Sequence, residues 1–167
     1  MGVKEHREKA EKVVKVAVLT VSDTRTAETD ITGGRIRQVL EKAGHQVLRT
    51  GIVKDEKDGI LSWLLEALSD QHIQAVLING GTGVSSRDLT VDAVRPVLEK
   101  ELPGFGELFR MLSYKEIGTA AMMSRALAGV AKRKVIFCLP GSPDSVHLAL
   151  KQVILPDLGH LVYEVNR

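Results

Sequence analysis

The sequence has little of several features that define other protein classes. It has one cysteine, Cys138, so no disulfide can form within the chain, and the apolar neighbours at positions 135–139 predict a buried thiol rather than a reactive one. No segment approaches the roughly 20 apolar residues of a membrane-spanning helix. The first residues are charged where a secretory signal would be apolar. We therefore expect a cytoplasmic protein with no membrane partner.

Charge, histidine spacing and motif content argue against a nucleic-acid-binding protein, a zinc enzyme and a serine hydrolase. Lysine and arginine together number 23 and aspartate and glutamate 21, which gives a formal net charge of +2. A domain that binds nucleic acid usually has a larger basic excess, so no nucleic-acid partner is expected. The five histidines show neither HxxxH nor HExxH spacing, and the GxSxG motif is absent. Neither a zinc enzyme nor a serine hydrolase is therefore favoured.

The length and composition predict one globular domain. The chain has 167 residues, of which 44% are hydrophobic and 26% charged, and it contains no internal repeat, low-complexity tract or linker. We assign residues 1–13 to a charged N-terminal lead-in and residues 14–167 to a single α/β domain. The lead-in is either frayed or a short helix that packs on a partner subunit, and the sequence leaves both interpretations open.

Apolar patterns predict strands that alternate with helices. Nearly continuous apolar runs predict buried strands at residues 15–21, 75–78 and 134–139, and residues 45–53 form a further predicted strand. Residues 125–130 are ambiguous between helix and strand. This alternation predicts a mostly parallel sheet with helices on both faces. Helices are predicted from about residue 31 to a cap at Gly44, at 58–68, at 92–99 with a break at Pro96, at 106–116, and from 144 onward with a break near Pro156.

Small, hydroxyl and acidic residues follow the predicted strands. Ligands of open α/β sheets bind at the carboxyl ends of the strands, so these residues are the candidate site. The glycine loop, residues 80–88, could cradle phosphate oxygens with backbone N–H groups, although a plain tight turn is an equal alternative. It is neither a Walker A loop nor a GxGxxG fingerprint. The remaining candidates after the strands are Ser22, Asp23, Asp55, Pro140, Gly141 and Ser142.

Two carboxylates near the glycine loop indicate a magnesium site. Asp88 ends the loop and Asp55 follows the neighbouring strand, and Mg²⁺ usually binds one or two carboxylates together with substrate phosphates. Asp92 either caps or supports the helix that begins near Thr90. The alternatives are structural: Asp88 could be a helix N-cap, and Asp55 a solvated turn residue.

Five motifs, which occur along the chain in the order of the family's motifs, resemble the MoaB/MogA family of molybdopterin-binding proteins. The resemblance covers about residues 14–160, and residues 105–119 are similar to the MoaB branch in particular. The motifs are Leu19-Thr20-Val21-Ser22-Asp23, Gly80-Gly81-Thr82-Gly83, Arg87-Asp88-x-Thr90-x-Asp92, Pro103-Gly104-Phe105-Gly106-Glu107 and Leu139-Pro140-Gly141-Ser142-Pro143.

This resemblance implies a fold, an activity and an assembly. The fold is a three-layer α/β/α domain, and the activity is molybdopterin adenylyltransfer with MgATP, which gives adenylyl-molybdopterin and pyrophosphate. Asp55 and Asp88 match the aspartates assigned to metal and catalysis. Homotrimers or hexamers are implied, and the molybdate-insertion enzyme is a further candidate partner. The residues that match nucleotide or pterin-phosphate binding are Ser22, Asp23, Gly80, Gly81, Thr82, Gly83, Ser85, Ser86, Thr90, Asp92, Pro140, Gly141 and Ser142.

Two alternatives remain at this stage. The same fold serves non-catalytic molybdopterin-binding or scaffold modules, although the retained Asp55 and Asp88 favour an enzyme. The apolar residues of segment 105–117 exceed one helical stripe, so this helix either packs on a neighbouring subunit or belongs to the core.

Overall fold

The computed structural model describes residues 8–167 as one six-stranded sheet with helices on both faces. The strands are β1 (Lys15–Val21), β2 (Gln46–Val53), β3 (Ala75–Asn79), β4 (Lys100–Glu101), β5 (Leu127–Ala131) and β6 (Lys134–Leu139). Their spatial order is β2-β1-β3-β6-β5-β4. The first four in this order are parallel, whereas β5 pairs antiparallel with β6 and β4 antiparallel with β5. The prediction of a mostly parallel sheet is confirmed.

Alternate residues of the central strands supply two separate cores, because successive side chains of a strand point to opposite faces. Val16 and Val18 pack with the helices α1 (Ile31–Lys42), α4 (Pro103–Ile117), α5 (Pro143–Ala149) and α6 (Leu155–Asn166). Ala17 and Leu19 pack with α2 (Lys57–Ser69) and α3 (Thr90–Val94). The sheet is therefore the middle of three layers, as the family resemblance implies.

Glycine and proline mark the helix ends much as the sequence predicts. Gly44 follows α1 with φ +92°, which suits a residue without a β-carbon. The predicted helix at 92–99 is instead the short α3 followed by a 3-10 turn, Arg95–Val97, because Pro96 lacks the N–H that would continue an α-helix. The helical backbone runs without interruption from residue 143 to 166, so the predicted break near Pro156 is instead a π-helical turn, Leu150–Ile154, which precedes Pro156 in the first turn of α6.

The ambiguous segment 125–130 becomes part of an antiparallel hairpin. β5 and β6 are joined by Lys132 and Arg133, which have φ values of 46° and 60°. The next residue, Lys134, is buried, and its Nζ donates hydrogen bonds to the carbonyl oxygens of Asp70 and Ile73 at 2.8 and 2.6 Å. Burial lowers the pKa of Lys134.

Cys138 is fully buried within β6, as the sequence predicts. Burial raises the pKa of its thiol to about 12, which confirms the expected inert thiol.

The charged lead-in is described only in part. Residues 1–7 of the lead-in lie outside the described residues, and residues 9–14 form neither helix nor strand. The Glu11 N–H donates to the carbonyl of Gly159 at 3.2 Å, so this segment packs against α6. Across residues 8–167, every helix is too short or too polar to cross a membrane.

Candidate functional site

Four strand ends meet at one edge of the sheet, as the sequence predicts. The Gly80 N–H, after β3, donates to the carbonyl of Leu139 at the end of β6 over 2.9 Å. A β-carbon placed on Gly141 would lie 3.4 Å from Gly80 Cα, so the segments after these two strands touch. The Ser22 N–H, after β1, donates to the carbonyl of Val53 at the end of β2, also over 2.9 Å. The candidate segments are therefore contiguous.

The glycine loop begins with two residues that only glycine fits. Gly80 and Gly81 have φ values of +97° and +68°, in the left-handed region. A β-carbon on Gly80 would strike the carbonyl oxygen of Val21, and one on Gly81 would strike Thr90 Oγ1. Thr90, the first residue of α3, donates from Oγ1 to the Gly80 carbonyl at 2.7 Å and from its N–H to the Gly81 carbonyl at 3.0 Å. Thr90 thus fixes the start of the loop.

Asp55 lies against this loop from the side of β2. It is only 7% exposed, and its Oδ1 accepts the Leu89 N–H at 3.0 Å. A β-carbon on Gly81 would stand 2.8 Å from Asp55 Oδ2. Burial raises the pKa of Asp55, the Leu89 hydrogen bond opposes this, and the neighbouring charges of Asp88 and Asp23 raise it further. The alternative of a solvated turn residue is therefore wrong for Asp55.

Asp88 closes the other end of the loop. Its Oδ2 accepts the Ser85 N–H at 2.8 Å, and a β-carbon on Gly83 would lie 2.8 Å from the same oxygen. The alternative that Asp88 is the N-cap of α3 is wrong, because the N-cap is Leu89 and no side chain caps that helix. The loop thus lies between two carboxylates, from Asp55 beside Gly81 to Asp88 beside Gly83.

Asp23 joins the loop to β1 through an ion pair. Its Oδ2 accepts hydrogen bonds from Arg87 Nη2 at 2.6 Å and Nε at 3.2 Å, and its Oδ1 accepts the Asp55 N–H at 3.1 Å. The pKa of Asp23 is lowered, chiefly by the Arg87 hydrogen bond and then by the Asp55 N–H. Asp23 therefore contacts both the loop and the segment that carries Asp55.

Arg125 was not among the residues that the sequence singled out, although it holds the loop at several points. Its Nε donates to the Gly83 carbonyl and its Nη2 to the Asp88 carbonyl, each at 2.8 Å. Its guanidinium also pairs with the Asp92 carboxylate at 3.0 Å, and this hydrogen bond lowers the pKa of Asp92. Asp92 thus supports the loop through Arg125.

A second polar group lies below Gly141, on the α1 side. Thr32 Oγ1 donates to the Gly141 carbonyl at 2.8 Å, and Arg25 Nη2 donates to the same oxygen at 3.3 Å. Arg25 Nη1 also donates to Thr32 Oγ1 at 2.9 Å. Neither Arg25 nor Thr32 was a predicted site residue. They hold the turn after β6 in place beside the glycine loop.

The remaining predicted residues lie on the same rim, mostly in turns. Ser22 Oγ accepts the Arg25 N–H at 3.2 Å, and Ser142 caps α5 by accepting the Ser145 N–H, also at 3.2 Å. Ser85 Oγ accepts the Arg87 N–H at 3.2 Å. Three predicted binding residues differ in their exposure to solvent: Thr82 is buried, Ser86 is exposed and Pro140 is half-buried.

The carboxylates fit Mg²⁺ only if a ligand shares it. Within residues 8–167, the structure contains no group of three or more acidic, histidine or cysteine side chains arranged to hold a metal ion. Mg²⁺, however, usually binds one or two carboxylates together with substrate phosphates and water. Asp55 and Asp88 flank a loop with two positive-φ glycines, and the negative charge of Asp88 raises the pKa of Asp55. This donor set fits a cation held jointly with a phosphorylated ligand.

Comparison with known proteins first defines the class. A family model described as a probable molybdopterin binding domain matches residues 17–160, which include every residue of the site. The fold and the site at the strand ends thus belong to an α/β domain of that class.

Relatives and solved structures then define the family. The chain is 52% identical to molybdenum cofactor biosynthesis protein B of Halalkalibacterium halodurans over 99% of this chain and 98% of that protein, and 50% identical to the Bacillus subtilis protein of the same name, over 100% and 99%. The crystal structure of the tungsten cofactor synthesizing protein MoaB from Pyrococcus furiosus matches with a TM-score of 0.85 and 34% identity, over 95% of this chain and 100% of that one. The chain belongs to the MoaB/MogA family, in its MoaB branch.

Proposed function

We propose that this chain is a molybdopterin adenylyltransferase that uses MgATP to form adenylyl-molybdopterin and pyrophosphate. The observation that carries the proposal is the position of Asp55 and Asp88 at the two ends of the glycine loop, where four strand ends meet. The family and the names of the relatives support a role in molybdenum cofactor biosynthesis. The specific reaction is the one that the family resemblance implies, and the residues of the site suit its chemistry.

The proposed reaction needs no protein nucleophile. A phosphate oxygen of molybdopterin attacks the α-phosphorus of ATP, a new P–O bond forms, and the bond from that phosphorus to the bridging oxygen breaks. Pyrophosphate leaves with the electron pair of the broken bond. The attacking oxygen is already anionic near neutral pH, so no strong general base is required. A site of glycine, serine, threonine and aspartate residues, without catalytic histidine or cysteine, suits this chemistry.

Different residues of this chain would bind the phosphates, hold the cation and support the loop. Backbone N–H groups of the glycine loop would bind phosphate oxygens, because positive φ at Gly80 and Gly81 allows close backbone approach. Asp55 and Asp88 would hold Mg²⁺, which when bound supplies positive charge against the phosphates. Arg25 and Thr32 would keep the Gly141 turn beside the loop.

An assay with the purified full chain tests the proposal. The chain is mixed with molybdopterin, Mg²⁺ and labelled ATP, and pyrophosphate and adenylyl-molybdopterin are measured. We expect turnover that depends on all three components. A folded chain that forms no pyrophosphate, under conditions in which an active family member does, contradicts the proposal. Molybdopterin binding without turnover would instead identify the alternative, a non-catalytic binding or scaffold module.

We also propose a homo-oligomer, trimer or hexamer, with α4 at its interface. Phe105 and Phe109 face the core, whereas the opposite side of α4 and the turn after it expose large apolar side chains. These form the α4 patch: Leu108, Met111, Tyr114, Ile117 and Met122, each at least 50% exposed. An exposed apolar patch of this kind is typical of a protein interface. The product would pass to the molybdate-insertion enzyme in the cytoplasm.

A further inference from the structure

Arg125 uses most of its hydrogen-bond donors on the glycine loop and on α3. The side chain has five N–H donors. Nε donates to the Gly83 carbonyl, Nη2 to the Asp88 carbonyl, and Nη1 and Nη2 to the two carboxylate oxygens of Asp92, at 3.3 and 3.0 Å. The backbone N–H of Arg125 donates to the Thr82 carbonyl at 2.8 Å. The guanidinium therefore has little capacity left for a ligand.

The points that Arg125 holds bracket the Asp88 side chain. Gly83 and Asp88 are the two residues whose carbonyls receive the guanidinium, and Gly83 is also the residue that the Asp88 carboxylate faces. The Asp88 carboxylate accepts the Ser85 N–H, from a residue between these two anchors. Movement of either anchor would therefore displace the carboxylate.

Arg125 is itself held from two sides. Asp92, in the first turn of α3, pairs with its guanidinium. On the other side, Arg110 of α4 donates from Nη1 to the carbonyls of Ser124 at 3.3 Å and Ala126 at 3.1 Å, the residues before and after Arg125. These contacts connect α4, through the chain at residues 124–126, to the loop that carries Asp88.

We infer that Arg125 is a positioning residue: by bonding the carbonyls of Gly83 and Asp88, its planar guanidinium sets the place of the Asp88 carboxylate for Mg²⁺ and nucleotide. Asp92 acts through Arg125, because its carboxylate pairs with the guanidinium. This inference rests on the proposed function for the role of Asp88, but the geometry of the loop is testable without turnover. A lysine cannot replace the guanidinium, because its single ammonium group lacks the rigid fork that spans two carbonyls and a carboxylate.

Two measurements on Arg125→Lys test the inference. Backbone amide exchange over residues 83–89 should become at least about 10-fold faster, while exchange in β1, β3 and β6 stays as in the wild type. The Mg²⁺ concentration for half-maximal turnover should rise roughly 10- to 100-fold, the range found when groups that orient metal ligands are removed, with KM for molybdopterin within about twofold of the wild type. A merely structural arginine would change thermal stability without this selective effect on Mg²⁺.

The matched control is Arg95→Lys. Arg95 also pairs with a carboxylate, that of Glu101 in β4 at 2.7 Å, and this ion pair lies outside the glycine loop. This variant should leave loop exchange and the Mg²⁺ requirement within about twofold of the wild type. If Arg125→Lys fails to fold, Asp92→Asn serves instead, because it weakens the ion pair and keeps the guanidinium. It should move both measurements in the same direction by a smaller factor.

The outcomes separate the two proposals. Unchanged loop exchange and an unchanged Mg²⁺ requirement in a folded Arg125→Lys chain overturn the inference. The wild type could show no turnover while Arg125→Lys still accelerates amide exchange of residues 83–89 alone. This result contradicts the adenylyltransferase but supports the positioning of the loop by Arg125. Faster exchange throughout the sheet would show that Arg125 stabilises the whole fold and would likewise overturn a specific positioning role.

Discussion

Asp55 donates its backbone N–H to the Asp23 carboxylate over 3.1 Å. The other oxygen of Asp23 pairs with Arg87, so the charge of Asp23 is partly neutralised. The Asp55 carboxylate, in contrast, is buried and accepts one hydrogen bond, from the Leu89 N–H. The negative charges of Asp88 and Asp23 raise its pKa. The folded chain thus keeps a carboxylate where its ionised form is disfavoured, which is common at functional sites.

Replacement of Asp55 by asparagine should remove activity without loss of stability. Burial and the neighbouring acids raise the pKa of Asp55 in the folded chain above its unfolded value. The folded state therefore binds this proton more tightly, and the stability linked to it is lost as the pH rises through the folded pKa. Asparagine avoids that loss and keeps an oxygen for the Leu89 N–H. We expect Asp55→Asn to lose turnover about 100-fold, with Tm at pH 7 equal to or above the wild type.

Thermal denaturation over a pH series checks this. The difference in Tm between Asp55→Asn and the wild type should shrink as the pH falls through the folded pKa of Asp55, and it should be constant below about 4, where the unfolded aspartate is also protonated. A variant that is unfolded at pH 7 would show that Asp55 is structural and would contradict its role in metal binding.

Asp88→Asn should leave the fold intact and remove most turnover. Asparagine keeps the size of the side chain and an acceptor for the Ser85 N–H, but loses the negative charge for Mg²⁺. We expect turnover to fall by roughly two orders of magnitude, since charge stabilisation by a metal is worth several kcal/mol. Steady-state kinetics at saturating Mg²⁺ measure this. Asp58→Asn is the control, because Asp58 is an exposed acid in the first turn of α2. Wild-type turnover in Asp88→Asn would refute the role of this carboxylate.

Gly83→Ala should displace the Asp88 carboxylate with little effect on stability. The added β-carbon would stand 2.8 Å from Asp88 Oδ2, and this side chain can move away from it. Misplacement by about 1 Å can cost up to about 100-fold in rate, so turnover should drop at least 10-fold with Tm within a few degrees of the wild type. Gly104→Ala is the control, because no atom lies within 4 Å of its added β-carbon. Unchanged kinetics in Gly83→Ala would contradict a requirement for the observed position of Asp88.

Gly81 is less suitable for such a test. Gly81→Val would block close approach of a nucleotide to the backbone, but it would also strain the loop. In the structure the β-carbon would strike Thr90 Oγ1 and lie 2.8 Å from Asp55 Oδ2, at a φ of +68°. Loss of folding would therefore accompany any loss of binding.

Charges placed on the α4 patch should dissociate the oligomer. Met111 and Ile117 are 51% and 58% exposed, and lysines at both positions would bury charge at the proposed interface. Sedimentation of the wild type should show a species well above 18.2 kDa, and Met111→Lys with Ile117→Lys should shift it towards 18.2 kDa. Leu65→Lys, on the exposed side of α2, should leave the oligomer unchanged. A wild-type chain that is monomeric at micromolar concentration would contradict the assembly.

The four parallel strands were predicted most accurately. β1, β2, β3 and β6 all lie within one residue of their predicted bounds. For β1, β3 and β6 the reason is that strands covered on both faces require continuous apolar runs. β5 was ambiguous because its alanines and glycine favour neither element strongly. β4 was missed because it consists of two exposed polar residues, Lys100 and Glu101, which pair through the backbone with β5.

The acids and glycines of the site were predictable from their place after the strands, whereas the supporting arginine was not. Arg125 lies 37 residues beyond Asp88 in the chain and acts on backbone carbonyls. Such a bond leaves no spacing pattern, because a carbonyl is present at every residue. Only the three-dimensional structure brings Arg125, which precedes β5, to the glycine loop.

The burial of Cys138 has a practical consequence for labelling experiments. At neutral pH its thiol stays protonated and inaccessible, so maleimide reagents should leave the native chain unmodified. A cysteine introduced at the exposed position of Ser86 would then be the single reactive thiol of the chain. A fluorescent or spin label attached there would report movements of the glycine loop directly, with no native cysteine to remove first.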